Sequence, residues 1–233
     1  SYYDYYQPEA YIPTSDTYIE KDSSINEEID KLRHAATASL LLRPDVIVVA
    51  SVSCIYGIGN PETYKQTGLS IKIDQSINRR QFLENLIDIQ YQRNDIDYHR
   101  GTFRLRGDVL EVWPPYEDNG YLIDFFGDNI ESIRQIDSLT GEILQTFKKL
   151  IIFPAKHFIT AKSELKEIIE IIKRDLTSEH SELLKNGKEL EAARLKQRVN
   201  FDLEMIAETG YCSGIENYSR YFDRRSPGQP PHV

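Results

Sequence analysis

Sulfur is scarce in this 233-residue chain, which holds two cysteines and one methionine. Cys54 and Cys212 lie far apart without CxxC spacing, which excludes a disulfide framework and a cysteine-based zinc site. A reducing compartment, the cytoplasm, is the simplest setting. Long apolar runs are also missing. The longest, VIVVASVSCIYG, is strand-length, well short of the roughly eighteen residues a membrane-crossing helix needs. No basic segment followed by an apolar stretch opens the chain, so no secretory signal is expected. Nor is there a GxxxxGK[ST] loop, so these residues hold no P-loop of their own. The five histidines show no ligand spacing, and no Ser/His/Asp arrangement stands out. Positive charge is in deficit: 28 Lys and Arg stand against 37 Asp and Glu, a net charge of −9. Such a protein does not grip duplex nucleic acid by neutralising phosphates alone.

Aromatic rings, by contrast, are concentrated. Six tyrosines (Tyr2, Tyr3, Tyr5, Tyr6, Tyr11, Tyr18) fall in the first eighteen residues, SYYDYYQPEAYIPTSDTY, among polar neighbours. Three readings are open: rings packed on a half-buried strand pair, a protein-binding patch of exposed tyrosines, or a device that stacks on or wedges between unpaired bases. Aromatic stacking is worth on the order of 1–3 kcal/mol per base, and opening a base step costs a few. Two or three rings could offset one or two opened steps without a basic surface. In an extended chain residues two apart share a face, so Tyr3 and Tyr5 are expected on one side, with Tyr2 and Tyr6 alternating against them. A polar stretch from Gln7 to Thr17 and a returning TYIEK then make a long projecting hairpin.

Beyond it, Asp22 or Ser23 can cap a helix through INEEIDKLRHAATASLLL, with Ile25, Ile29, Leu32, Ala36 and Leu40 as its apolar stripe and Glu27, Glu28 and Asp30 in the early turns. Arg43-Pro44-Asp45 ends it. VIVVASVSCIYG then reads as a strand apolar on both faces, the mark of a parallel sheet covered by helices. Gly57, Gly59 and Pro61 terminate that α/β unit, with GIGNP as a turn and a boundary near Thr67. From Leu69 the pattern becomes α+β. Gly107-Asp108 suits a two-residue turn with glycine supplying the positive φ. That register sets Phe103 against Val112, Arg104 against Glu111, Leu105 against Leu110 and Arg106 against Val109, with Arg104 and Glu111 as an outward charge pair. A second hairpin turns at Gly127-Asp128, and Leu139-Thr140-Gly141-Glu142 turns the chain again. The third region is a pair of antiparallel helices broken at Asn186-Gly187 and ended at Thr209-Gly210. The single methionine, Met205, and the loop-like ending SPGQPPHV read as a piece of a longer chain.

Arg79, Arg80, Arg93, Arg100, Arg104 and Arg106 punctuate the middle region, interleaved with Glu84, Asp88, Asp95, Asp97 and Asp108. No strong positive field results. Solvated surface arginines or an acidic protein partner, met by planar guanidinium forks, fit better than a phosphate groove. Glu9, Lys21 and Arg33 flank or belong to the hairpin segment, where ion pairs could fix its position.

The strings SYYDYYQPEAYIP, EEIDKLRHAAT, ASVSCIYG, RGTFRLRGDVLEV, LTGEIL and CSGIENYSR, in this order, closely resemble the UvrB family, the helicase-like subunit of the bacterial UvrABC excision nuclease, over essentially the whole chain. The resemblance implies nucleotide excision repair, with damage verification after delivery by UvrA. It implies a partial RecA-like parallel sheet with a projecting β-hairpin (1–66), an antiparallel-sheet UvrA-binding insertion domain (67–158), a helical hairpin (159–210) and a return to the RecA-like domain (211–233). Tyr2, Tyr3, Tyr5, Tyr6, Tyr11 and Tyr18 match the hairpin's rings. Glu9, Lys21 and Arg33 match positions tied to DNA processing or to holding the hairpin closed. Arg93, Arg100, Arg104 and Arg106 match basic positions of the UvrA-binding domain. The family's P-loop would precede Ser1 and its acidic ATPase motif would follow Val233. ATP and Mg²⁺, and the UvrC contact, would therefore belong to the parent protein, and this stretch alone would neither hydrolyse ATP nor incise DNA. Damaged DNA and UvrA are the implied partners. A protein-interaction scaffold, or the related domain of a transcription-repair coupling factor, are the alternatives.

Overall fold

A computed structural model describes residues 3–8, 10–19, 22–51, 58–159 and 162–230. The chain is of mixed α/β class and divides into two units, Ser1–Asn26 with Thr160–Val233, and Glu27–Ile159. The first division falls after Asn26, inside the stretch expected to form one RecA-like segment. No helix among the described residues is long and apolar enough to cross a membrane.

The first unit contains a hairpin. Strands β1 (Tyr3–Gln7) and β4 (Asp22–Ile25) pair antiparallel, as do β2 (Ala10–Ile12) and β3 (Thr17–Ile19). The pairs from Tyr5↔Ser24 to Gln7↔Asp22 and those from Ala10↔Ile19 to Ile12↔Thr17 keep the same register. At the tip, Pro13–Ser15 forms a 3₁₀ turn that Asp16 closes in the left-handed region, φ 46°. Short polar side chains such as Asp tolerate that conformation. Asp22 and Ser23 are therefore strand residues rather than a helix cap. Extended pairing with β1 claims their backbone groups, leaving the next helix to start four residues later.

The unit's second part is the expected helix pair, α4 (Lys162–Lys185) and α5 (Glu189–Thr209) in the overall helix count. Leu165, Ile168 and Ile172 of α4 and Ala192, Leu203 and Ile206 of α5 are buried at helical spacing. Gly187 (φ 71°) makes the break, and Gly210 (φ 75°) closes α5 by donating its N–H to the Ile206 carbonyl. The following segment packs back through a short helix, α6 (Ser219–Phe222). Tyr218 donates its hydroxyl to Asp202 at 2.7 Å, and Arg220 pairs with Asp175.

The second unit is built on a six-stranded sheet in the order β11-β10-β9-β8-β7-β6, comprising β6 (Gln92–Arg93), β7 (Thr102–Arg106), β8 (Val109–Trp113), β9 (Gly120–Phe126), β10 (Asn129–Ile136) and β11 (Ile143–Thr146). Every pairing is antiparallel except β6–β7. The β7–β8 register is the one expected from the Gly107-Asp108 turn. Gly107 (φ 64°) and Gly127 (φ 61°) supply the positive φ that two-residue hairpin turns require. A further ladder joins β5 (Leu69–Lys72) to β12 (Lys149–Ile152). Helix α3 (Arg79–Asp88), capped by Asn78, buries Phe82 and Leu86 against Phe103, Leu110, Val112 and Ile123.

Helix α1 (Glu27–Leu42) departs from its expected stripe. Leu32 and Leu40 are exposed, whereas Arg33, His34 and Ala38 are buried. The helix turns that face because Ala38 packs with Tyr64 and Phe153. Tyr64 belongs to α2 (Pro61–Gln66), so GIGNP is more than a turn: Asn60 caps this helix and Pro61 sits in its first turn. The expected strand after α1 is absent over residues 46–51, where Ile47 and Val49 are almost fully exposed. A central strand exists only with hydrogen-bonded neighbours, and none of the described strands pairs there. Residues 52–57 of that segment lie outside the described residues.

Candidate nucleic-acid interface

The root of the hairpin displays rings. Tyr5 and Tyr6 are 50% and 51% exposed, and Tyr3 is half-buried. A register shift between Tyr3 and Tyr5 adds one residue to β1 opposite β4. Such a bulge re-aims side chains. The rings of Tyr3 and Tyr6 consequently meet, centroids 5.1 Å apart at 44°, instead of alternating to opposite sides as strict period-two spacing required. Tyr5 turns away and donates its hydroxyl to Gln7 Oε1 at 3.0 Å. Tyr2, Glu9 and Lys21 lie outside the described residues.

Further out, Tyr11 and Tyr18 face each other across β2–β3 and are half-buried. Tyr11 donates its hydroxyl to Asp16 Oδ1 at 3.0 Å. Its pKa is raised, first by loss of solvent and then by that bond. Asp16 in turn accepts two hydrogen bonds from Arg194 of α5, from Nε at 3.0 Å and Nη2 at 2.7 Å. The Arg194 hydrogen bond holds the Asp16 carboxyl below its ordinary range. The tip is thus latched onto the helix pair by a two-pronged guanidinium–carboxylate contact, the geometry that favours Arg over Lys. Neither partner was singled out in the sequence. Asp16 carries a turn signal, but nothing in the helical spacing of α5 marks Arg194.

Arg33 lies in the second unit, 8% exposed on α1, where its charge helps depress the pKa of both His34 and His157. The middle-region arginines all have carboxylate partners: Arg79 with Asp108 at 2.6 Å, Arg80 with Glu84 at 3.1 Å, Arg93 with Asp95 at 3.1 Å and Arg100 with Asp118 at 3.9 Å. Arg104 and Arg106 share Glu111, at 2.6 and 3.7 Å. The Arg104–Glu111 pair is not the solvated outward pair that alternation implies. Glu111 is 6% exposed, and Tyr98 covers Arg104 with its ring 4.3 Å from the guanidinium carbon. Tyr98 itself lies against Trp113, centroids 5.4 Å apart. The accessible guanidinium groups are those of Arg80, Arg93 and Arg106, each more than half exposed.

The described residues thus hold a ring-bearing arm latched to a helix pair, and a sheet module carrying arginine–carboxylate pairs. Comparison with known sequences gives both parts a family. Residues 69–158 match the family model of the UvrB interaction domain, and residues 163–224 match that of the UvrB third helical domain. The chain is 57% identical over 234 residues to UvrABC system protein B of Streptococcus uberis, covering 100% of this chain and 35% of that protein. It is 57% identical over 231 residues to UvrABC system protein B of Microcystis aeruginosa (99% and 35%), and 55% identical over 234 residues to that of Geobacillus kaustophilus (100% and 36%). The chain belongs to the UvrB family and spans about 35% of the length of these relatives.

Proposed function

We propose that these residues form the damage-verification part of a UvrB-type subunit in a UvrABC nucleotide excision repair system. The exposed pair Tyr5 and Tyr6 at the root of a latched hairpin is the observation that carries this reading. One strand of an opened duplex would run along the arm and lie between it and α4–α5, with the tyrosines stacking on bases or excluding a bulky adduct. Ring stacking supplies the hold that a net charge of −9 does not. UvrA would dock on the arginine-bearing sheet module through Arg93, Arg100 and Arg106, with Arg104 supporting that surface from beneath, and would deliver an acidic protein to a duplex that repels it at long range. Residues 1–66 and 211–233 would belong to a RecA-like motor domain. ATP and Mg²⁺ would be used by the longer stretches of the relatives, as would the contact with the UvrC nuclease.

The test uses the full-length protein carrying Tyr5→Ala and Tyr6→Ala. Binding to damaged and undamaged duplexes is measured with and without UvrA. Loss of UvrA-dependent loading on damaged DNA, with UvrA binding intact, is the expected result. Unchanged loading would replace the wedge role with a protein-interaction scaffold.

A further inference from the structure

The second unit buries a histidine pair that the repair reading does not use. His34 comes from α1, near the start of the unit, and His157 follows β12, near its end. Their rings stack, centroids 3.8 Å apart at 20°. Asp30, one helical turn before His34, places Oδ2 3.9 Å from His34 Nε2. One ligand-type atom from each of the three residues lies within 4.8 Å of the others. His34 is 1% exposed, and its Nδ1 is buried without a hydrogen-bond partner. A buried nitrogen in that condition costs free energy unless something else satisfies it.

Two imidazoles and a carboxylate form a donor set that suits a borderline-soft divalent ion. The Thr37 hydroxyl lies 3.1 Å from His157 Nε2 and donates to the Arg33 carbonyl at 3.0 Å, an outer contact of the kind that orients a ligating imidazole. Arg33 and Lys156 oppose a cation, and the Asp30 carboxylate offsets part of that opposition.

We propose that Asp30, His34 and His157 form a site for a divalent transition ion of borderline softness, such as Zn²⁺, with two imidazole nitrogens and one carboxylate oxygen as ligands. The partly exposed Asp30 side opens the route in and leaves a position for water. Binding requires the rings to part and the ligand atoms to draw in to roughly 3.3 Å of one another, the spacing set by bonds of about 2.0–2.1 Å to a tetrahedral ion. The ion would fasten the beginning of the unit's chain to its end and stabilise the fold as any native-state ligand does.

The experiment is a titration of chelator-stripped protein with Co²⁺, followed by visible absorption, then displacement by Zn²⁺ followed by calorimetry and the thermal midpoint. One ion per chain and a raised midpoint are expected. Asp30→Asn and His157→Gln should each weaken binding about 10–100-fold. Asp30→Asn alters a partly exposed group, so it reports even if His157→Gln fails to fold. A double variant of two histidines outside the cluster, His99→Gln with His180→Gln, should bind as the parent does. Absence of saturable binding, or equal affinity in Asp30→Asn, would show a packed neutral pair and overturn the site.

Discussion

Asp16 at the hairpin tip and Arg194 in the second turn of α5 hold each other through two hydrogen bonds across 178 positions of sequence. Both groups are solvent-accessible, so the pair restrains position far more than it stabilises the fold. Arg194→Gln should leave the thermal midpoint unchanged while the amides of residues 10–19 exchange faster with deuterium. Equal exchange rates in the two proteins would mean that the tip is held by something else.

The same contact sets a pH dependence. With its folded-state pKa depressed by Arg194, Asp16 contributes restraint that is complete above the ordinary carboxyl value of about 3.9 and is lost only as pH falls through the lower folded value. Tyr11 and Arg194 are the charged or titrating groups facing it, with Glu191 beyond Tyr11. Following the Asp16 carboxyl by NMR should give a midpoint below the ordinary range. In Arg194→Gln that midpoint should rise toward the ordinary value, and a curve that fails to move would disprove the coupling.

At the root, each of Tyr5 and Tyr6 that holds a base should be worth on the order of 1–3 kcal/mol in affinity for a duplex containing unpaired bases. Single alanine variants measured by fluorescence anisotropy, with circular dichroism as the folding control, read this out directly. Phenylalanine at either position should retain most of the affinity, since the ring face and not the hydroxyl does the stacking.

Arg93 and Arg104 should behave differently despite their shared module. Arg93→Ala removes an exposed guanidinium and should weaken UvrA binding with little loss of stability. Arg104→Ala leaves Glu111 buried without its closest cation and should destabilise the fold by on the order of 3 kcal/mol. Urea denaturation and UvrA titration on both variants separate docking from support.

Gly120→Ala probes the same support from below. An added Cβ would lie 2.4 Å from the Tyr98 hydroxyl, while that ring is confined between Arg104 and Trp113. A loss of about 1–3 kcal/mol is expected from such overpacking, with Trp113 fluorescence shifting as the stack opens. An unshifted spectrum and unchanged stability would mean that Tyr98 is free to yield.

Local turn chemistry made much of the second unit legible. Gly107 and Gly127 sit between alternating apolar runs, and β-pairing by period two then fixes each cross-strand partner. The helix pair was equally readable, because Asn186-Gly187 and Gly210 punctuate an unbroken 3.6 period. Reading failed where a choice depended on distant neighbours. The apolar stripe of α1 gave way to a face chosen by Tyr64 and Phe153, and residues 46–51, though strand-like in composition, have no strand beside them among the described residues. At the hairpin the rings themselves were plain, but the one-residue shift that joins Tyr3 to Tyr6 leaves no trace in composition. Arg194 was hidden because a latch residue on an exposed helix face looks like any other surface arginine.

The β2–β3 ladder ties Tyr11 to Tyr18 within a few residues of the place where Asp16 is seated. Force applied at that seat therefore reaches the cross-strand pair of rings directly. In the proposed complex, undoing one ion pair at the tip would loosen both rings together.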